Sequence, residues 1–562
     1  MADNRGRDGG FRGAGRNMDR RPGENRDFKP RGDRPAPGER HDFKPRGDRP
    51  APGGRRDFKP RGDRPAPGGR RDFKPRGDRP APGERRDFKL RGDRPAPGGR
   101  HDFKPHGDRP AGKKPLNLAP RRVALETLLD VSRSDAYASL ALDKRLAAAG
   151  LYHRDRAFVT QLVYGTLENR LTLDWRIDQF LNGEKELDPT VREILRMGAY
   201  QLFYLDRVPD MAAVDESVSL TRAMGLEPLT GLVNAVLRSM IRGKDSVVWP
   251  KPQEDPVKYL SVMFSAPADL VRLLIDAYGE HSALEILRYR PKERDVTVRV
   301  NYLRCDDARL RSLFADDELE FSPGILPGTY RVHHAGDLTR MRAFQNGLFT
   351  IQGESSVLAA RMVGARPGQT VLDACAAPGG KTAVLSEMMN DTGRVYAWDT
   401  HAHRVELIRG TANRLKLENV RPAVKDASVG RPDMAMTIDA ALVDAPCSGT
   451  GVMLEKPDVK YRVSGEGVSR LMAVQRDILD AVAPMVRVGG TLVYSTCSIL
   501  PCENAEQVKA FLARHPEYEI VPMTGDLPPA LAAQEGDYGL QMLAHRDGTD
   551  GFFVCRMRRV RA

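Results

Sequence analysis

The stretch VLDACAAPGGKT at 371–382 constrains this chain more than any other, because it compresses a buried strand, a turn and a helix start into a few residues. Val371 and Leu372 are short apolar strand residues. Pro378, Gly379 and Gly380 then break the strand and let backbone approach a ligand with no Cβ in the way. Thr382 to Met388 resumes as a helix. A strand, a glycine-bearing turn and a helix N-terminus together make a nucleotide-type pocket with free backbone N–H groups aimed into it. The spacing matches neither the phosphate-binding P-loop nor the three-glycine dinucleotide fingerprint, which favours another nucleoside cofactor.

Downstream, strands and helices alternate: RVYAWD (394–399), a helix to Leu415, PAVKD (422–426), AALVDAP (440–446), a helix from Ser469 to Val486, and TLVYSTC (491–497). This alternation predicts an α/β domain with a parallel sheet covered on both faces. Ligands of such sheets bind beyond the carboxyl ends of the strands, so Asp373, Asp399, Asp426, Asp444 and Cys497 are expected to share one crevice. Asp399 closes the second strand about twenty residues past the turn, the place of an acid that hydrogen-bonds ribose hydroxyls. On the helix from Ser469, the stripe Leu471, Val474, Ile478, Val482 and Val486 is expected to be core.

The rest of the chain sets the context. At 562 residues it is too long for one core. Residues 1–114 hold 34 Lys+Arg against 18 Asp+Glu, a net of +16, which leaves 55 against 58, a net of −3, for the remainder. From Arg26 to Gly112 the unit RDFKPRGDRPAPGER and its near copies recur six times, the last cut short. One aromatic per unit among many prolines cannot offset backbone entropy, so this tail is expected to be disordered. Arg interleaved with Phe suits non-specific RNA binding, against the blander reading of a solvated repeat expansion. Neither a membrane span nor a secretory signal is visible, and a cytoplasmic protein is expected. Cys305, Cys375, Cys447, Cys497, Cys502 and Cys555 form no C-x-x-C pair, which argues against a disulfide framework or a zinc site and leaves thiols that are buried or catalytic.

Residues 117–245 show apolar spacing of helices, as in Val123, Leu125, Leu128 and Leu129, then Phe158, Leu162, Val163 and Leu167. By spacing alone these stripes are core. The segments RRVALETLLDV, AYASLALDKRL, RDRAFVTQLVYGTLENRLTLDWRIDQFL and LVNAVLRSMIR resemble the RNA-binding helical domain of the NusB antitermination factor. That resemblance implies RNA docking, with Arg121, Arg122, Arg154 and Arg156 as exposed candidates. After a linker bearing Pro250, Pro252 and Pro256, residues 256–346 read as a small α+β module, and 347–562 as the α/β domain.

Two cysteines end neighbouring elements, in DAPCSGTGV (444–452) and YSTCSI (494–499). A lone cysteine after a strand is usually a small buried hydrophobe. Two at one sheet edge point to chemistry, and either could serve as the nucleophile. Together with DACAAPGGKT, AWD, KD, KPD (456–458), YSTCSILPCEN and DGFF (550–553), they resemble the RNA 5-methylcytosine methyltransferases of the NOP2/Sun family, in its bacterial 16S rRNA branch. RVN and FQNGLFTIQGESSVLAA resemble that family's RNA-recognition insert and entry segment.

The resemblance implies four parts: a disordered tail, an all-α NusB-like domain, a small α+β RNA-binding module and a Rossmann-like class I S-adenosylmethionine methyltransferase domain. It implies that Cys375, Ala376, Ala377, Pro378, Gly379, Gly380, Lys381, Asp399, Asp426 and Asp444 hold S-adenosylmethionine. It implies Cys497 as nucleophile, Cys447 as the thiol that helps remove the C5 proton or release product, and Asp444, protonated in a dry site, as donor to N3 of the base. The implied partner is rRNA, with 16S rRNA foremost, and no metal is implied. Cys502 departs from the family pattern and reads as incidental. Three rival readings are a non-catalytic RNA-binding or assembly factor, an enzyme for another RNA such as tRNA, and a DNA cytosine methyltransferase using the Pro-Cys thiol.

Overall fold

The computed structural model describes residues 118–562 apart from 135, 182–185 and 292–294. The repeat tail and its expected disorder and RNA affinity lie outside the described residues.

The apolar spacing of the first described segment is realised as α-helices from Ala119–Ser134 through Thr230–Arg242 around one core. Leu125, Leu128, Leu162, Leu173, Ile177, Ile194 and Leu195 are fully buried there, each contributing ~1.5–3 kcal/mol of burial. The helix Pro189–Tyr204 is buried along most of its length, and its start is fixed by Asp188, which accepts from the amides of Thr190 and Val191 ahead of a proline at the first turn. One expectation fails here. Arg121 is not a surface residue: its guanidinium donates to Gln201 Oε1 at 2.8 Å, pairs with Glu216 at 3.6 Å and lies over Phe158, so it stitches helices together. Arg122 and Arg154 are exposed, and Arg156 is half-buried, donating to the Leu146 carbonyl.

The small module is a four-stranded antiparallel sheet in the order Phe321–Pro323, Thr329–Val332, Val296–Val300, Phe349–Ile351. Its last strand comes from beyond residue 346, so the chain enters the α/β domain only after completing this sheet. Helices Pro256–Phe264 and Ala268–Arg288 pack instead on the α/β domain, where Leu260, Leu270, Val271 and Leu274 share a core with Val463, Val468, Ile499 and Leu500. Arg299, 3% exposed, leaves the small sheet to pair with Glu387, while Arg414 donates back to the carbonyls of Phe344 and Phe349. The helical domain is held by a row of residues from the α/β domain: Asp458 accepts from Ala138 N, and Lys460, Tyr461 and Arg462 donate to the carbonyls of Glu168, Leu167 and Ala136.

The α/β domain has a Rossmann-like mixed sheet. Strands Val420–Val424, Arg394–Asp399, Thr370–Asp373, Ile438–Asp444 and Val486–Thr496 run parallel in that order. Phe552–Arg559, Gly539–Met542 and Glu535–Gly536 continue the sheet antiparallel. Chain order reverses between Thr370–Asp373 and Ile438–Asp444, which opens a crevice at their carboxyl ends. Two boundaries differ from expectation. The third strand ends at Val424, leaving Asp426 two residues beyond it in a turn. The long helix spans Gly465–Val482 and buries Val468, Gln475, Ile478, Leu479 and Val482, whereas Val474 is 41% exposed. The inward face therefore includes a polar residue that apolar periodicity passes over.

Candidate active site

The strand Thr370–Asp373 delivers Asp373 to the crevice with no solvent exposure. Its Oδ2 accepts from Thr382 Oγ1 at 2.7 Å, its Oδ1 has no hydrogen-bond partner among the described residues, and burial pushes the carboxyl up to about 7. The chain then turns through Cys375–Gly379. Gly379 has φ +104°, where a side chain would be strained, and an added Cβ would come within 3.1 Å of Ile408 Cα. Helix Gly380–Met388 begins at once, and its first-turn amides have no intrahelical acceptor. The Cys375 thiol is driven well above its usual range, first by burial and then by the charges of Asp373, Asp444 and Asp399. These three carboxyls thus surround one turn.

Asp399 is buried, accepts from His401 N at 3.1 Å and faces Arg404 Nη1 at 3.2 Å. Asp426 stands apart: it is exposed, and its carboxylate is taken up by the Ser428 hydroxyl and amide, which hold it below its usual value. The carboxylates, the bare Asp373 oxygen and the open amides suit a cofactor with ribose hydroxyls and a cationic amino-acid end, so S-adenosylmethionine fits the donor set.

The second half of the site is built from the turns after Ile438–Asp444 and Val486–Thr496. Lys381 Nζ lies 2.8 Å from Asp444 Oδ2 and over the Phe552 ring, and Ser495 Oγ donates to Asp444 Oδ1 at 2.8 Å. Burial alone would lower the lysine, but Asp444 outweighs it and holds the ammonium above its usual value. Asp444, the expected donor to N3 of the base, is thus held between Lys381 and Ser495.

The sulfurs of Cys447 and Cys497 are 3.3 Å apart. Cys497 is lowered, chiefly by its hydrogen bond with Cys447, in which either sulfur can be the donor, while Cys447 is raised by that same bond and by burial. The turns are locked by close backbone contact. Gly451 N donates to the Cys497 carbonyl at 2.9 Å and Gly551 N to the Gly451 carbonyl at 3.0 Å.

Glu503 carries no periodic signal in the sequence, yet it is a fully buried part of the site. Its carboxylate, with no exposure, accepts from Ser448 N and Oγ, from Ser498 Oγ and from Gln475 Nε2. The acid one residue past Cys502 in LPCEN was the available signal. Cys502 itself packs with the helical core on the other side, its thiol pushed up to about 11 by burial, and takes no part.

A family model described as 16S rRNA methyltransferase RsmB/F matches residues 360–558, and the NusB family model matches residues 118–242. A relative from Bacillus subtilis is 39% identical, spanning 78% of this chain and 98% of its own length. Proteins named ribosomal RNA small subunit methyltransferase B from Pectobacterium carotovorum and Pseudomonas syringae are each 32% identical. They span 72% and 79% of this chain and 90% and 97% of their own. The crystal structure of PH0851 shares the fold, with a TM-score of 0.68 at 23% identity over 79% of this chain and 100% of that one.

Proposed function

This chain belongs to the 16S rRNA methyltransferase RsmB/F family and is an S-adenosylmethionine-dependent rRNA methyltransferase, and from that premise we propose that it forms 5-methylcytosine in 16S rRNA through a covalent adduct between Cys497 and C6 of the target base. The carrying observation is the pair of thiols 3.3 Å apart beside the Lys381–Asp444 ion pair. Asp373, Asp399, Asp444 and the turn 375–381 hold the cofactor; Asp426, exposed in its own turn, is the outermost candidate.

C5 of cytosine is too weak a nucleophile to take a methyl group unaided, and S-adenosylmethionine supplies that methyl when bound. The target base leaves its stack to enter the crevice. The Cys497 thiolate adds to C6, and charge building toward N3 is met by Asp444, with Lys381 behind it as the proton source. Once Cys497 becomes a thioether, its own negative charge, the larger of those that held the proton on Cys447, is gone. After the methyl group has been bonded to C5, Cys447 can ionise and take the C5 proton, the S–C6 bond breaks so that Cys497 leaves as thiolate, and the proton taken up at N3 returns to the Lys381–Asp444 pair. The exposed Arg122 and Arg154 offer phosphate contacts, and the basic tail adds non-specific RNA affinity. An rRNA substrate supports a cytoplasmic protein.

The test is a pair of variants on 16S rRNA. Cys497→Ser abolishes methylation and gives no covalent complex on a denaturing gel, while Cys447→Ser accumulates a covalent protein–RNA species. Reversal of the two outcomes would move the nucleophile to Cys447, the arrangement of the DNA enzymes. Bisulfite mapping of rRNA with and without the gene locates the cytosine.

A further inference from the structure

The reaction needs one thiolate and one thiol, held so that the right sulfur attacks. Two cysteines 3.3 Å apart do not choose between themselves, so the asymmetry has to come from their surroundings. The groups facing the pair are Lys381, from the helix after the glycine turn, Asp444 at its strand end, Lys456 from the loop beyond Gly449, Tyr494 from the strand leading to Cys497, and Glu503. Burial and the Asp444 charge oppose a charged Cys497, while Lys381 and Lys456 favour it.

Glu503 is distinguished by where its bonds go. It receives both the amide and the hydroxyl of Ser448, the residue after Cys447. It also receives Gln475 Nε2, which at the same time donates to the carbonyl of Pro446, the residue before Cys447, at 3.0 Å. Both neighbours of Cys447 are therefore tied to this one carboxylate, against a single hydroxyl from Ser498, the residue after Cys497. The Tyr494 hydroxyl fixes Glu503 in turn by donating to its backbone carbonyl at 2.6 Å. An ionised carboxylate anchored around Cys447 opposes a second negative charge there and leaves the proton of the pair on Cys447.

We propose that Glu503 is a positioning residue that sets the polarity of the thiol pair, holding Cys447 as the thiol and leaving Cys497 as the thiolate. The proposal rests on the roles assigned above to the two cysteines. Its consequence is directional. Removing the charge makes the pair as a whole easier to ionise, because a repelling carboxylate is gone, but divides the thiolate between two sulfurs, only one of which is productive.

The experiment uses the full-length protein without RNA: alkylation by iodoacetamide across a pH series, read at each cysteine by peptide mass spectrometry, alongside the pH–rate profile of rRNA methylation. In the parent, Cys497 labels at least tenfold faster than Cys447. In Glu503→Gln the ratio falls at least fivefold toward unity, the rising limb of the profile moves to lower pH and its plateau drops, while KM for RNA and for S-adenosylmethionine stays as in the parent. A purely structural lesion lowers the plateau without moving the limb or the ratio, and that result would overturn the proposal, as would a parent that labels first at Cys447. Should Glu503→Gln fail to fold, Ser448→Ala removes one of the four bonds and carries the decision, with a smaller shift in the same direction expected and an unchanged ratio refuting. A parent that labels at Cys497 yet forms no adduct with RNA defeats the catalytic assignment and leaves the role of Glu503 standing.

Discussion

Asp399→Ala tests the cofactor half of the site on its own. The carboxylate is 4% exposed and, among the described residues, has one hydrogen bond on Oδ1, from His401 N at 3.1 Å with the His401 ring further off at 3.8 Å, and Arg404 Nη1 at 3.2 Å on Oδ2. Each oxygen of an ionised carboxylate accepts about two hydrogen bonds, so one site on each is open to a ribose hydroxyl. A hydrogen bond to a charged group contributes ~1.5–3 kcal/mol, which at ~1.4 kcal/mol per decade is a rise of about ten- to a hundredfold in the dissociation constant of S-adenosylmethionine. The loss should fall on binding rather than folding, because the Arg404 side chain is 46% exposed and regains water when its partner goes. Titration calorimetry of the full-length protein, with a melting curve of the unliganded variant beside it, separates the two. Asp399→Asn keeps one acceptor oxygen, neutral and worth ~0.5–1.5 kcal/mol, and turns the other into an NH2 that only donates, so it should fall between. A dissociation constant within twofold of the parent in a variant with an unchanged melting curve would refute the assignment.

Gly451→Ala should remove methylation while leaving cofactor affinity near the parental value, because the new Cβ would lie 1.9 Å from the Gly551 carbonyl oxygen and 2.9 Å from that of Cys497, forcing backbone beside the nucleophile to shift; unchanged kcat would count against this packing. Lys460, 6% exposed, is pulled down to about 7 by burial. The unfolded chain then binds the extra proton between about pH 7 and 10.5, so this residue's cost to stability is full below pH 7 and fades as pH rises to the unfolded value. Denaturant unfolding of the parent relative to Lys460→Met should show the parent gaining stability from pH 7 to pH 10; a flat difference would show that Lys460 is not desolvated. Deleting residues 1–114 should weaken RNA binding most at low salt and lessen its salt dependence, and loss of site choice with affinity intact would argue for specific recognition by the tail.

Much of the catalytic half was legible because buried parallel strands leave a plain mark, a short apolar run closed by an acid. Asp373, Asp399 and Asp444 stand where that mark puts them. Asp426 does not, since an acid follows that run too but the strand stops at Val424, before it. The inward face of Gly465–Val482 was misread by a fraction of a turn, because Gln475 is buried for the sake of Glu503 and counts as polar in any hydrophobic pattern. Arg121 was misplaced for a related reason: a basic residue on a helix reads as surface unless its partners Gln201 and Glu216, far along the chain, are known to be adjacent. The packing of helices Pro256–Phe264 and Ala268–Arg288 on the α/β domain likewise rests on pairings that no local signal carries.

The buried carboxyls sort themselves by how fully the protein satisfies them. An ionised carboxylate offers about four acceptor positions, and Glu503 has protein donors on all four, from Ser448 twice, Ser498 and Gln475. Nothing is left for a ligand, so its influence must pass through the residues it holds. Asp399 has two such partners and Asp444 has Lys381 and Ser495, leaving room on each. Of these four carboxyls at the site Asp373 is the least satisfied, with Thr382 on one oxygen and no hydrogen-bond partner on the other among the described residues, although it is wholly buried. An unpaired buried acceptor costs ~1–3 kcal/mol, a cost that a donor arriving with the cofactor would relieve. The degree of saturation thus separates the acid that builds the site from the acids that await its contents, and it does so among residues whose sequence signals were alike.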